Sequence, residues 1–168
     1  MSLHCWRPDE NVMIYLTLKY IHVLSATLLF GTGLGTAFHG FLAFRSRDAR
    51  VIAAVGRSVI LADWLFTAPA VIVQPATGFA MAYLAGWPLT GGWLAASLAL
   101  YVLVGACWLP VVWLQIELRA IAKASFLAGT PLPDKYFRYL FYWFVLGWPA
   151  FTGVLAIFYL MIFKPDLM

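Results

Sequence analysis

Charged residues are scarce in this chain. Lys, Arg, Asp and Glu make up 11% of the 168 residues, whereas 64% are hydrophobic and 17% are aromatic. That balance is far from the composition of a soluble globular domain. The net charge of +4 does not indicate a nucleic-acid partner, because the cations lie between long apolar blocks. The composition therefore predicts a single membrane domain, residues 1–168, whose first partner is the lipid bilayer.

Cysteine is nearly absent. Cys5 lies in the N-terminal tail and Cys107 lies within an apolar run, and the chain has no other. Two cysteines this far apart in depth exclude a disulfide framework and a zinc site. The N-terminus also lacks the basic leader and short apolar core of a cleaved signal peptide, so we expect the first helix to remain in the mature protein.

What the chain has instead is four long apolar stretches. A bilayer core about 30 Å thick needs roughly 20 apolar residues in a helix, and each stretch meets that requirement. The predicted fold is an all-α, integral membrane four-helix bundle. Its spans are approximately 13–44, 59–84, 93–116 and 140–163.

The second and fourth spans share a short pattern. Pro75 is followed by Thr77 and Gly78, and Pro149 is followed by Thr152 and Gly153. One interpretation is that the chain consists of two related helical hairpins. The other is that Pro and Gly recur in membrane helices because neighbouring helices satisfy the freed backbone groups. The pattern leaves both open.

Eight of the eleven Lys and Arg residues lie in two of the three connections between spans. By the positive-inside rule, those two connections face the cytoplasm and both termini lie outside it. The connection at 85–92 has no Lys or Arg. Four basic residues follow the first span and four follow the third: Arg45, Arg47, Arg50 and Arg57, then Arg119, Lys123, Lys135 and Arg138.

A first group of polar residues is expected in the outer half of the bundle. Ionisable side chains in the hydrocarbon are costly and mark functional candidates. With a rise of about 1.5 Å per residue, His22, Gln74 and Thr77 lie about 10–15 Å below the outer surface and are predicted to meet, together with Thr152. Lys19 shares the face of His22, where it either pairs with an acidic group of a ligand or extends to the headgroups.

A second group is expected in the inner half. His39 and Asp63 lie about 7 Å and 6 Å from the inner surface by the same count. Asp63 is therefore the predicted partner of a ring N–H of His39, and Gln115 is expected to join that layer. His39 is interpreted either as a second ligand site or proton relay with Asp63, or as an ordinary histidine at the membrane interface.

His22 and the glycines of the first span each have two interpretations. His22 is either an axial haem ligand or a histidine satisfied by a hydrogen bond across the bundle. Gly31 and Gly35 have the small-residue spacing that lets membrane helices approach closely, which predicts a homodimer through that face. Gly33 and Gly40 lie near the direction of His22 and leave room there for a flat macrocycle.

Four segments resemble a bacterial family of membrane proteins, the domain-of-unknown-function 2269 family. They read LKYIH, GTGLG, RSRD and GACWLP and begin at Leu18, Gly31, Arg45 and Gly105. The resemblance covers most of the chain. It implies a multi-pass protein of the bacterial inner (cytoplasmic) membrane, with both termini periplasmic by the charge rule.

The Lys19-x-x-His22 motif is also similar, more distantly, to HemJ-type protoporphyrinogen oxidases and to CopD-type membrane proteins. In the HemJ type the histidine of this motif is implicated in binding haem b. The resemblance thus implies that His22 holds a haem iron, with Lys19 as its supporting residue. The chain has no Met-rich or His-rich copper path of the CopD kind.

Together these observations predict a haem b-binding inner-membrane protein, active in electron transfer or porphyrin-linked oxidoreduction. The alternative is a non-enzymatic bundle that acts as a small transporter or an assembly subunit. The sequence specifies neither the substrate nor a redox partner. The predicted cofactor residues are His22, His39, Lys19, Gln74 and Thr77, and Asp63 and Gln115 form a proton relay or support the ligands.

Overall fold

The computed structural model describes residues 8–166, so Cys5 and the ends of the predicted domain lie outside it. All regular structure in that range is helical, and the model contains four helices long and apolar enough to cross a membrane. The predicted all-α membrane bundle is therefore confirmed. The elements are α1 (Pro8–Ser46), α2 (Ala49–Ala62), a π-helical segment (Asp63–Thr67), α3 (Ala68–Ala85), α4 (Gly92–Ala128) and α5 (Asp134–Phe163).

The helices extend well beyond the predicted apolar spans. Helices α2 and α3 form one continuous crossing through the π-helical segment, and α4 runs on to Ala128. No helix breaker occurs in this extension, and Leu118 and Ala122 bury one side of it in the core. Consequently the third connection is only residues 129–133, and it holds no additional element.

Capping interactions mark the start of α2 and the end of α4. Asp48 accepts hydrogen bonds from the backbone N–H groups of Arg50 (2.8 Å) and Val51 (3.4 Å), which caps the start of α2. Helix α4 ends at Ala128 and is capped by Gly129, whose φ of 64° is the left-handed conformation that glycine adopts without strain. Because successive crossings run in opposite directions, the first and third connections and the basic residues on both sides of them lie at one end of the bundle, where Arg50 is 5.9 Å from the ring centroid of Phe126. We call it the basic end.

The helices are arranged as a ring. Helix α1 packs against α2 and α3, and α4 packs against α2 and α5. The ring closes between α1 and α5 through large aromatic side chains. The ring centroids of Phe30 and Phe151 are 5.7 Å apart, and those of Phe41 and Phe144 are 6.2 Å apart. These side chains hold the two helices apart and leave a space between them.

The π-helical segment lies in the middle of the second crossing. The backbone N–H of Ala68 donates to the carbonyl of Asp63, five residues back, which is the widened π pattern. Pro69 follows directly, and its ring would clash with the carbonyl of Leu65 in a regular α-helix. The widened turn relieves that clash. It also buries both Asp63 and Thr67 inside the bundle.

Candidate functional site

The imidazole of His22 joins α1 to α3. Its Nδ1 lies 2.9 Å from Thr77 Oγ1, and its Nε2 lies 3.0 Å from Gln74 Nε2. The Thr77 hydroxyl donates to the carbonyl of Val73 at 2.7 Å. It therefore accepts the Nδ1–H of His22, and the lone pair on Nε2 accepts from the Gln74 amide. The structure thus brings together the three residues that the depth count places at one level.

Two more residues complete this cluster. The hydroxyl of Ser25 donates to the side-chain oxygen of Gln74, which fixes the orientation of the amide. A Cβ on Gly78 would lie 3.4 Å from Cε1 of His22, so the glycine lets α3 approach the ring. Sequence reasoning missed Ser25, although its position three residues after His22 puts it on the same helix face.

Two residues expected at this level do not join the cluster. Thr152 is exposed, and its hydroxyl donates to the carbonyl of Trp148 in its own helix at 2.9 Å, so the expectation that it meets His22 is wrong. Lys19 is exposed. Among residues 8–166 the salt bridge found joins Lys135 and Glu117 at 4.0 Å. Both interpretations of Lys19 stay predictions.

A cavity of about 350 Å³ fills the space between α1, α4 and α5. The π-helical segment contributes to its wall. Most of its surface is aliphatic or aromatic. The lining comprises Leu29, Phe30, Gly33, Leu34, Thr36, Ala37, Asp63, Thr67, Val104, Trp108, Val111, Gln115, Trp143, Phe144, Gly147, Trp148, Ala150, Phe151 and Val154.

Asp63 is the one charged residue in this lining. Its side chain is only 5% exposed. Oδ1 accepts a hydrogen bond of 3.0 Å from the Thr67 hydroxyl, whereas Oδ2 has no partner among the described residues. The Gln115 side chain approaches the same carboxyl from α4, as expected. The arrangement is a single buried carboxyl group at the edge of an apolar cavity.

His39 does not contact this carboxyl. It is exposed on α1, while the neighbouring Gly40 is buried. Thr67 is the described hydrogen-bond partner of Asp63, so the predicted pairing of His39 with Asp63 is wrong. The depth count gave the level of His39 but not its direction. Successive residues of a helix point about 100° apart, and Gly40 has the inward direction here.

A smaller cavity, of about 20 Å³, lies next to the first toward the basic end. Gln115 belongs to the lining of both. Arg119, one turn further along α4, lines the smaller one, and its Nε is buried without a partner in the described chain. Gly56 of α2 lines it too. A Cβ there would lie 3.0 Å from Cβ of Arg119, so the glycine allows the close approach of α2 to α4.

Neither the cluster around His22 nor the residues around Asp63 form a ready metal centre. Within residues 8–166 there is no group of three or more His, Cys, Asp or Glu side chains that could hold a metal ion. The large cavity has no His, Cys, Met or Tyr in its lining, so it offers no common haem ligand. His22 and His39 line none of the three cavities described.

The glycines proposed as a dimer contact face away from the other helices. A Cβ added at Gly31 or Gly35 would meet no atom within 4 Å, and both positions are exposed. Gly33 also has free space and lines the large cavity, not the His22 cluster. The homodimer remains a prediction, which the protein mass in native detergent micelles would test.

Comparison with known proteins identifies the family and nothing finer. No curated protein and no solved structure matches the chain. The similarity to HemJ-type and CopD-type proteins gains no support from these searches and stays a prediction. A family model described as a predicted integral membrane protein (DUF2269) matches residues 16–165, which are nearly all of the described crossings. The chain therefore belongs to the DUF2269 family of integral membrane proteins.

Proposed function

We propose that the protein binds a lipophilic organic cation in the large cavity, in exchange for a proton on Asp63, and that it acts as a small transporter. The observation that carries the proposal is the Asp63 carboxyl. It is 5% exposed, its Oδ2 has no partner in the described chain, and the cavity lining contains no Lys, Arg or His.

A carboxylate without a counter-charge is unstable in such a place. Transfer of an ion into a protein interior costs several kcal/mol unless a partner neutralises it. Two species can neutralise Asp63 here, namely a bound proton or the positive charge of a ligand. Because both neutralise the same group, they exclude each other, and binding of the cation releases the proton.

The walls of the cavity suit both the charge and the apolar body of such a ligand. Trp108 and Trp143 line the cavity together with aliphatic side chains. Indole faces attract cations, and the attraction increases where water is excluded. A cavity of about 350 Å³ is within the range of small-molecule sites. An organic cation with an apolar or aromatic body fits these surroundings better than a hydrated inorganic ion does.

Calorimetry on the purified full chain in lipid nanodiscs tests the proposal. The probe is benzyltrimethylammonium, which has no ionisable proton, and the control is neopentylbenzene, its neutral isostere. We expect the cation to bind and the neutral isostere to bind at least tenfold more weakly. Titrations in buffers of different ionisation enthalpy should show about one proton released for each cation bound.

Two variants complete this experiment. Asp63→Asn keeps the size of the side chain but cannot ionise, so cation affinity should fall at least tenfold and proton release should vanish. Glu117→Gln is the matched control, because Glu117 pairs with Lys135 and does not line the cavity. Equal affinity for the cation and its neutral isostere, or unchanged proton release in Asp63→Asn, would refute the proposal.

Haem b binding at His22 is the second candidate. One observation favours it: the Nδ1–H of His22 is fixed by Thr77, which leaves Nε2 as the lone-pair atom, the state typical of a metal-binding histidine. In the described geometry the group does not fit, because Gln74 occupies Nε2 and the described cavities do not reach the ring. Haem binding would require the Gln74 side chain to move.

The visible spectrum tests this second candidate. After haem-supplemented expression, protein purified in mild detergent should show a Soret band and a haem b haemochrome. The band should weaken in His22→Ala and persist in His39→Ala, which removes an exposed histidine instead. A colourless but folded preparation would exclude haem, and it would leave the cation-binding proposal untouched.

A further inference from the structure

Buried polar atoms without a hydrogen-bond partner are concentrated between Asp63 and the basic end. Native proteins contain few such atoms, and ordered water is a common partner for them. Here they extend from the middle of the second crossing to the first turns of α5. Those in this region of the described chain are Asp63 Oδ2, Gln115 Oε1, Arg119 Nε, Tyr136 OH and Trp143 Nε1.

Gln115 links the two cavities in which these atoms lie. On one side it approaches Asp63 in the large cavity, and on the other it shares the smaller cavity with Arg119. The smaller cavity, about 20 Å³, has room for one water molecule, since roughly 10–15 Å³ of such volume is enough. A water there has polar partners in Gln115 and Arg119, and Trp143 lines the same space.

We propose that a water molecule beside Arg119, held by a hydrogen bond to Gln115 Oε1, forms a proton route from Asp63 to the basic end: the carboxyl gives its proton to the water, and the water releases one of its own to solvent at that end. Asp63 exchanges its proton with that side of the membrane. This inference rests on the proposed function in one respect, namely that Asp63 is protonated when no cation is bound. It adds the direction from which the proton arrives and the residue that positions the water that relays it.

The opposite side of the large cavity is lined by apolar and aromatic side chains. Phe30 stacks on Phe151 with ring centroids 5.7 Å apart and meets Phe158 edge-on at 5.5 Å. Leu29 and Val154 line the same side of the cavity. These groups offer no hydrogen bond to a water molecule, so a proton has no polar path in this direction.

The charges around Asp63 are consistent with a relay for protons. The lining from α1 and α5 contains no charged residue, and Thr67 is the polar neighbour on its own crossing. Arg119 of α4 is the first charged group on the way to the basic end. Its guanidinium stays protonated and carries donors only, so it does not itself pass a proton on but can hold the water by a hydrogen bond.

Infrared spectroscopy of the full chain in lipid tests this route without any ligand. A protonated Asp63 gives a carboxylic C=O stretch, identified as the band lost in Asp63→Asn, and that band shifts when its proton exchanges for deuterium. We expect rapid exchange after transfer to D2O in the wild type. In Gln115→Met, which keeps the length of the side chain without its polar group, exchange should be at least tenfold slower.

Two further variants make the result specific. Thr67→Val removes the hydrogen bond from the Thr67 hydroxyl to Asp63 but leaves the route intact, so its exchange should stay fast. Arg119→Met should slow exchange as Gln115→Met does, and it serves if the latter does not fold. If Gln115→Met and Arg119→Met exchange as fast as the wild type, or if Thr67→Val is slowed equally, the route is wrong. If Asp63→Asn loses no carboxylic C=O band, Asp63 is not protonated in the wild type. That result refutes the proposed function, independently of the route.

Discussion

The hydroxyl of Thr77 accepts the Nδ1–H of His22 across the contact between α1 and α3, at 2.9 Å. Thr77 is buried and His22 is half-buried, so little water reaches this bond. The hydroxyl is held in the accepting orientation because it donates its own hydrogen to Val73. Three groups on two helices therefore satisfy one another within the membrane, whatever chemistry the ring supports.

Replacing Thr77 with valine should destabilise the protein. The substitution preserves shape but leaves the Nδ1–H of His22 without an acceptor, which costs about 1–3 kcal/mol for a buried group. Thr152→Val is the matched control, since that exposed hydroxyl bonds only within its own helix. Unfolding free energies in mixed micelles provide the measurement. Equal effects of the two substitutions would mean that the bond to His22 contributes nothing.

The cluster around His22 was partly predictable, because depth gives the level at which its members lie. His22, Gln74 and Thr77 are the strongly polar side chains at one level of an apolar sequence, and burial in lipid drives such groups toward one another. Counting residues from the span ends put these three at one level, but it also put Thr152 there, which is exposed and does not join them. Ser25 was missed because a serine in a membrane helix usually bonds to its own backbone, as Thr27 does here.

The surroundings of Asp63 were less predictable, because they depend on the direction in which each side chain points around its helix. In a membrane both the lipid-facing and the bundle-facing sides are apolar, so periodicity does not reveal which side points inward. The π-helical segment adds a residue to one turn, so the side chains before it and after it are rotated by about 100° relative to one another compared with an unbroken helix. The depth count paired Asp63 with His39 because it gives no direction: Asp63 is buried and His39 is exposed. For the same reason it did not reveal the cavity beside Asp63.

Filling the large cavity should weaken cation binding without unfolding the protein. Gly147 of α5 lines the cavity, and a Cβ there would meet no atom within 4 Å. A leucine at this position has room to enter the cavity and should lower the affinity for benzyltrimethylammonium at least tenfold, as measured by calorimetry.

Gly105→Leu is the control for this prediction. Gly105 also has free space around it but lies outside the cavity lining. Its substitution should leave affinity unchanged. If both leucine variants bind the cation as tightly as the wild type, the ligand site is not in this cavity.

Lys164 should anchor the end of α5 to the connection between α3 and α4. Its Nζ lies 4.3 Å from the ring centroid of Trp87 and 5.4 Å from that of Trp93. Cation–π contacts at exposed sites contribute about 0.5–1 kcal/mol, and Lys164→Met keeps the stem while it removes the charge. We expect the unfolding free energy of Lys164→Met to fall by that amount. Lys123→Met should change it little, because the side chain of Lys123 makes no cation–π contact in the described chain.

Gly153 should be required for the contact between α4 and α5. A Cβ at this position would lie 2.6 Å from Cγ2 of Val104, too close for any real contact. Gly153→Ala must therefore push the helices apart or distort Val104, at a cost of about 1–3 kcal/mol. Gly105→Ala, where a Cβ meets no atom within 4 Å, should instead stabilise its helix by up to about 1 kcal/mol.

The double variant Gly153→Ala with Val104→Ala decides whether this contact is the cause. Removing the valine methyls clears the position of the new Cβ, so the pair should recover most of the stability lost in the single variant. The unfolding free energies of the wild type, both single variants and the double variant give the coupling directly. Shortening Val104 relieves only a steric clash with that residue. If the losses of the two single variants simply add in the double variant, Gly153 is therefore required for the backbone of α5 and not for the contact with Val104.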